Sequence, residues 1–391
     1  MSITVHFADL PDPRGHSNAK RYLLHEILVI SLCAMLSGAT SFVEMSEFGE
    51  AKLEWLRHRL GLELPWGIPS HDTFNDVFAA LDAERFGDCL RQWTREIQRI
   101  TQGQVIAIDG KTLRRSFDTA SGRAAVHMVT AWATRSGLVL AQMAVEEKSN
   151  EITAVPAVLR LLDLRGCLVT VDAMNTQKEN AAQIREQGGD YLFALKENHP
   201  HLHEDVAAYF KWALAREAKG ADPTQLFASR TNQSNYGHGR QEQRRCWCVE
   251  ASEAAPDALH QWPGLRSAVM IERQRSISQT TPEGKQVWSQ STLERRYYLS
   301  SLPPDAQPIS EAVREHWGIE NRLHWSLDVS FREDECRIRM EKAAINMATL
   351  RHIAINLVRQ ENSKKRGLKT KLSRAAWDEE YLVKLLAGPN A

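Results

Sequence analysis

Two short apolar runs in this chain each end in aspartate: Val105-Ile106-Ala107-Ile108-Asp109 and Cys167-Leu168-Val169-Thr170-Val171-Asp172. Runs of this length, β-branched and with no polar alternation, read as strands buried on both faces. Such strands belong to α/β sheets whose faces are covered by helices. A carboxylate that ends one of them emerges where an open α/β sheet forms its ligand crevice. A third acid, Glu320, sits far downstream in a helical stretch, His316-Trp317-Gly318-Ile319-Glu320-Asn321. Three converging carboxylates cannot all stay ionised cheaply without a cation. Hard oxygen ligands at an open site select Mg²⁺ or Mn²⁺, and the main use of that arrangement is two-metal phosphodiester chemistry.

The rest of the chain is organised around these runs. Residues 1–100 read as a helical domain, with a near-continuous apolar run from Tyr22 to Leu36 and helical spacing after Phe42. Ser70 or Asp72 is placed to cap a further helix. Strands are expected at 105–109, 126–134, 138–145, 168–172 and 191–195, with Ser136-Gly137 as a hairpin turn. An antiparallel pair after the first strand, then helix–strand–helix–strand, is the order of an RNase H-like core. Its first part is expected over 101–205. Strand patterns at 239–250, 266–276 and 291–300 predict a mostly β insertion over 206–303. The closing helix, from near Ser310, and the helix after it occupy 304–360. Residues 361–391 read as a basic C-terminal tail.

Each acid also has an ordinary reading. Asp109-Gly110 fits a plain strand-to-turn step, or a carboxylate beside a glycine that leaves room for phosphate. Asp172 fits a helix N-cap for the segment after Asn175. Two strand-ending aspartates with a strand–helix unit before the second favour the functional reading. At 100° per residue, Val313, Trp317, Glu320, His324 and Leu327 share one helix face, where an unpaired carboxylate is costly. His316, Glu320, His324 and Asp328 form a four-residue-spaced row. That spacing is not one of paired zinc ligands, and no cysteine joins it. Glu151 reads as a carboxylate at the start of a helix over 154–162.

The residues around the acids resemble a known family. Ile108-Asp109-Gly110-Lys111-Thr112-Leu113-Arg114, Lys148-Ser149-Asn150-Glu151-Ile152, Val171-Asp172-Ala173-Met174 and the Glu320 block are similar to the DDE insertion-sequence transposases, specifically the ISAs or H-repeat-associated branch. Asp9-Leu10-Pro11-Asp12-Pro13-Arg14 and Gly67-Ile68-Pro69-Ser70-His71-Asp72-Thr73 resemble that branch as well. Each block is weak alone, and their order along the chain makes the match specific. The resemblance implies an RNase H-like α/β fold and a transposase that cuts an element's ends and joins them to target DNA. It implies Asp109, Asp172 and Glu320 as catalytic metal ligands for two Mg²⁺ or Mn²⁺ ions. The implied partners are the terminal inverted repeats and target DNA, with a homo-oligomer assembled on DNA. The broader group carries Tyr and Arg before the Glu and Lys after it, where this chain has Val313, His316 and Leu327. His316 is therefore expected to stand in for the Arg, and Lys111 or Lys196 to contact phosphate. A domesticated relative that binds DNA without transposing, and a metal nuclease without strand transfer, remain alternatives. An aspartyl-phosphate phosphotransferase is disfavoured, because Lys111 stands where a second Asp is wanted. A glycosidase could pair carboxylates, but nothing in the sequence suggests a sugar cleft.

Charge does not announce a nucleic-acid binder: Lys plus Arg and Asp plus Glu are both 49. Positive charge is local instead. Lys111, Arg114 and Arg115 follow Asp109, Lys196 ends a strand, and Arg322 follows Glu320. His238, Arg240, Arg244 and Arg245 outnumber Glu242 in the insertion. Lys364, Lys365, Arg366, Lys369, Lys371 and Arg374 form the one dense basic run, expected to add DNA affinity. The six scattered cysteines lack zinc-finger spacing and read as reduced thiols. The uncharged stretch from Ile27 to Val43 is shorter than the roughly 20 predominantly apolar residues needed to span a bilayer. A buried core helix is expected there, in a soluble cytoplasmic protein, nucleoid-associated when bound to DNA, with no membrane partner.

Overall fold

Apolar spacing in the first hundred residues produces six helices among the described residues: α1 (Ile3–Ala8), α2 (Leu24–Leu36), α3 (Phe42–Ala51), α4 (Leu53–Leu60), α5 (His71–Ala80) and α6 (Ala83–Ile97). They belong to a computed structural model of the chain, which describes residues 2–15, 21–97, 104–119, 121–145, 151–237, 240–280, 286–290, 293–363 and 365–388. Helix α2 is apolar nearly all round and is buried through 26–36, as expected of a core helix. Each fully buried Leu or Ile there contributes about 1.5–3 kcal/mol. Ser41 starts α3 with a reciprocal cap. Its hydroxyl accepts the Glu44 N–H at 3.3 Å, and the Glu44 carboxylate accepts the Ser41 N–H at 3.0 Å. Ser70 caps α5 through the Thr73 N–H at 3.4 Å. Among the described residues no helix is long and apolar enough to cross a membrane.

Strands and helices then alternate: β1 (Val105–Thr112), β2 (His127–Ala133), β3 (Leu138–Val145), α7 (Glu151–Arg160), β4 (Leu168–Val171), α8 (Lys178–Glu186), β5 (Asp190–Leu195) and α9 (Pro200–Ala218). The insertion supplies β6 (Ser229–Gly237), β7 (Arg240–Glu250), the short α10 (Ala251–Ala254), β8 (Ser267–Thr280), β9 (Gln286–Gln290) and β10 (Glu294–Ser300). The chain closes with α11 (Ala306–His316), a π-helical turn (Ile319–His324), α12 (Trp325–Ser330), α13 (Ala343–Gln360), α14 (Leu368–Trp377) and α15 (Glu379–Ala387).

These elements group into two units, with β1 running through both. One holds residues 1–101, 109–162 and 318–391. Its strand order is β3-β2-β1, with β2 and β3 antiparallel. Helix α13 is buried along most of its length against α2, α5, α6 and β3. The N-terminal helices α2, α5 and α6 therefore pack within this unit's core. The second unit holds residues 102–108 and 163–317. There the order is β1-β4-β5-β10-β8-β7-β6, with β9 paired to β8. Strands β1, β4 and β5 are parallel, and β10 joins β5 antiparallel. The strand order β3-β2-β1-β4-β5 is that of an RNase H-like α/β core. The insertion continues its sheet from β5 rather than folding separately. Its core packs Cys246, Cys248, Val269 and Ile271 with Ile309 and Val313 of α11.

The segment expected to be a basic tail is mostly helical. Helices α14 and α15 fill 368–387, and Asp378 caps α15 by accepting the Tyr381 N–H at 3.0 Å. Lys371 is buried and donates to the carbonyls of Val358, at 3.1 Å, and Glu361. Arg374 pairs with Asp378 at 2.9 Å. Two of the six charges of that run are thus structural. Lys365 and Arg366 are exposed, and Lys364 lies outside the described residues.

Candidate functional site

The β1–β4 pairing fixes two of the acids. Val105 pairs with Leu168, and the register continues to Ile108 opposite Val171. Asp109 and Asp172 are the next residues of their chains, so each leaves its buried strand at the same step of the ladder. Asp172 is half-buried, and its Oδ1 accepts from the Asn175 backbone N–H at 3.0 Å and side-chain Nδ2 at 2.9 Å. The bonds hold the turn after β4 and do not cap α8, whose N-cap is Gln177, so the N-cap reading of Asp172 is corrected; both bonds fall on one carboxylate oxygen.

Asp109 lies 3.7 Å, through Oδ2, from Nδ1 of His324. Burial, helped by the nearby Lys111 charge, pushes the His324 pKa down to about 4, so its imidazole is neutral at neutral pH. Gly110 is required by packing. A Cβ there would lie 2.2 Å from His127 Nε2 and 2.6 Å from Glu151 Oε2. Those two groups form a buried pair at 3.0 Å, and Thr112 Oγ1 meets the other His127 nitrogen at 2.9 Å. Glu151 does begin a helix, α7, and is paired with His127 inside the fold, in space that the glycine leaves open. Gly110→Ala is expected to cost about 1–3 kcal/mol by overpacking. Urea unfolding measures it, and a loss under about 0.5 kcal/mol would show that the His127–Glu151 pair yields freely.

Glu320 sits in the π-helical turn, where the Trp325 N–H reaches back five residues to the Glu320 carbonyl. That wider turn breaks the 100° phase used to place it. The buried stripe runs through Ile319, Leu323 and Leu327, and Glu320 is exposed. The expectation of a carboxylate on an apolar face is thus corrected. Such turns recur at functional positions. Tight packing holds this one. A Cβ on Gly318 would lie 2.9 Å from the Trp132 ring, and the guanidiniums of Arg322 and Arg359 lie 5.4 and 5.6 Å from that ring's centroid.

The expected DNA-contacting cations fare differently. Lys111 is enclosed by acids: it bonds Asp328 and lies 2.7 Å from Glu333 Oε2 and 3.7 Å from Asp334 Oδ1. Burial opposes its charge, but Glu333 and Asp328 outweigh it and hold the pKa above the ordinary lysine value. Arg114 is mostly exposed and pairs with Asp334 at 3.2 Å. Lys196 is exposed just past the end of β5. Arg322 is exposed and donates to the Thr134 carbonyl at 3.2 Å. His316 bonds Thr170 Oγ1 at 2.9 Å; burial and the Arg296 charge lower its pKa to about 4. Burial thus favours its neutral imidazole at neutral pH. The backbone of Arg240 lies in β7, its side chain is outside the described residues, and so are Lys148 and His238.

Glu333, Arg351 and His127 carry much of the local electrostatics, and no pattern in the sequence marks them. The row of His324 and Asp328 is visible there, but its spacing suggests only a zinc site to be rejected. Among the described residues no three His, Cys, Asp or Glu side chains stand together as a formed metal site. The donor chemistry of the three expected acids, oxygen without thiolate, does fit a hard divalent cation.

Comparison with known proteins adds the family context. The family described as "Transposase DDE domain" matches residues 100–357, and "DDE_Tnp_1-associated" matches residues 4–94. The chain is 37% identical over 386 residues to "H repeat-associated putative transposase YhhI" of Escherichia coli (strain K12), covering 99% of this chain and 98% of that one. It is 36% identical over 388 residues to "Putative transposase YncI" of Escherichia coli O157:H7, covering 99% and 95%. Among solved structures, a piggyBac transposase synaptic complex with hairpin DNA aligns over 100% of this chain and 80% of its own. Its sequence identity is 12% and its TM-score 0.42.

Proposed function

Because the chain belongs to the transposase DDE domain family, we propose that it cuts the ends of an insertion element and joins them to target DNA. The observation that most supports this reading is the β1–β4 register, which brings the chain to Asp109 and Asp172 at one step. Glu320, exposed on its π turn, is the third acid of the proposal. Two bound Mg²⁺ or Mn²⁺ ions would supply an activated water and neutralise charge on the attacking and leaving oxygens. Asp109, Asp172 and Glu320 would hold them through carboxylate oxygens. Water breaks the P–O3′ bond at the element's end, leaving a 3′-hydroxyl and a 5′-phosphate. That hydroxyl then attacks a target phosphodiester in line, forming the new bond as the target's 3′-oxygen leaves. No protein side chain is esterified. Lys196, Arg114, Arg322, Lys365 and Arg366 are exposed cations for phosphate contact, with Arg240 proposed on sequence alone. Copies of the chain would pair on DNA to hold both ends.

The test uses duplexes carrying the inverted repeats that flank the gene. Mg²⁺ or Mn²⁺ is expected to give cut and joined products, Ca²⁺ binding with little cutting, and EDTA neither product. Cutting that survives EDTA sinks the mechanism. Cutting without any joined product points to a nuclease.

A further inference from the structure

We propose that Lys111 is a positioning residue, locking the strand that delivers Asp109 to the helix that carries Glu320, and that it does not grip DNA phosphate. The inference rests on the cleavage reading above. Asp109 and Lys111 are two residues apart on β1 and so project to one side of the strand. His324 and Asp328 are four apart and lie on one side of their helix. The two pairs meet as rungs. Asp109 Oδ2 is 3.7 Å from His324 Nδ1, and Lys111 Nζ bonds Asp328 Oδ1. Glu320 lies about one turn before His324 on the same helical run.

A third hold comes from the turn after α12. Glu333 Oε2 is 2.7 Å from Lys111 Nζ, with the lysine side chain 13% exposed and the glutamate 2%. Arg351 lies on the far side of Glu333, 3.6 Å away. An ammonium has three donors, and here it faces three carboxylates. Turning it toward phosphate would strip Glu333 and Asp328 of their main counter-charge inside the fold. Lys111 thus couples the Asp109 strand to the Glu320 helix, and a shift of about 1 Å between reacting groups can cost on the order of 100-fold in rate.

The test compares wild type with Lys111→Met, Glu333→Gln and the double variant in the cutting assay, alongside DNA binding across a salt series. Positioning predicts that both single variants cut on the order of 100-fold more slowly while the log–log salt slope stays unchanged. The double variant, which removes opposite charges together, should recover about tenfold of that loss. Asp328→Asn, at a more exposed anchor, guards against misfolding: it should slow cutting about tenfold, again with an unchanged slope. If Lys111→Met instead flattens the slope by about 0.9 while Glu333→Gln and Asp328→Asn cut normally, Lys111 is a phosphate contact and the proposal is overturned. A wild type that binds the ends but never cuts would fell the cleavage reading itself, an outcome distinct from either.

Discussion

Asp109→Asn, Asp172→Asn and Glu320→Gln are each expected to reduce cutting on the order of 1000-fold or more, leaving affinity for the element's ends within about twofold. Each change removes one anionic oxygen and almost no volume. The three sites also separate structure from chemistry. The amide introduced by Asp172→Asn keeps a side-chain oxygen for the Asn175 N–H that Asp172 now accepts at 3.0 Å, so the local turn survives. Glu320 is exposed, and an exposed Glu→Gln change alters stability by about 0.5 kcal/mol or less. His324, the neighbour of Asp109, is neutral at neutral pH, so Asp109→Asn breaks no strong ion pair with it. Lost cutting with intact folding would then mark a chemical role. Near-normal Mg²⁺-dependent cutting by any one variant would remove that residue from the site.

Arg351→Met is expected to cost about 3–5 kcal/mol of stability, the usual loss when one partner of a buried ion pair is deleted. Arg351 and Glu333 are each 2% exposed and lie 3.6 Å apart. Burial works against the Glu333 charge, but Lys111, Arg351 and His352 together hold its pKa below the ordinary value. Removing Arg351 leaves Lys111 as the nearest counter-charge, already shared with Asp328 and Asp334. Urea unfolding at constant m-value would report the change as a fall in midpoint. A loss below about 1 kcal/mol would show that Lys111 alone neutralises Glu333. Pairing Arg351→Met with Glu333→Gln should recover part of the loss, because no unpaired buried charge then remains on that side.

Local pattern carried most of the core. Strands expected at 105–109, 126–134, 138–145, 168–172 and 191–195 fold within a few residues of those bounds. β-branched apolar runs have few other solutions once helices cover them. The insertion was legible where its strands are apolar, at β7, β8 and β10. Strands β6 and β9 went unseen because Ser229–Gly237 and Gln286–Gln290 are polar and held by their neighbours' hydrogen bonds, with almost no apolar alternation. The basic run at 364–374 misled in the opposite way. Its charges suggested a tail, while the apolar face of α14, through Leu372 and Ala375, packs as a helix and carries Lys371 inward.

Residue type and short-range period were enough to place the RNase H-like succession of strands and helices along the chain, the core helix α2 and the two strand-ending aspartates. The chain cannot escape those preferences locally. The remainder of the site took shape only on folding. Lys111 meets Asp328 and Glu333 across separations of 217 and 222 residues, and no spacing rule reports on a pairing that distant. Gly110 was needed because His127 and Glu151 close on it, and Glu320 left its predicted face because packing of Gly318 on Trp132 accompanies a π turn. A charge's partner and a helix's phase are set by what the fold brings alongside, since Coulomb attraction and steric contact act through space and not along the chain.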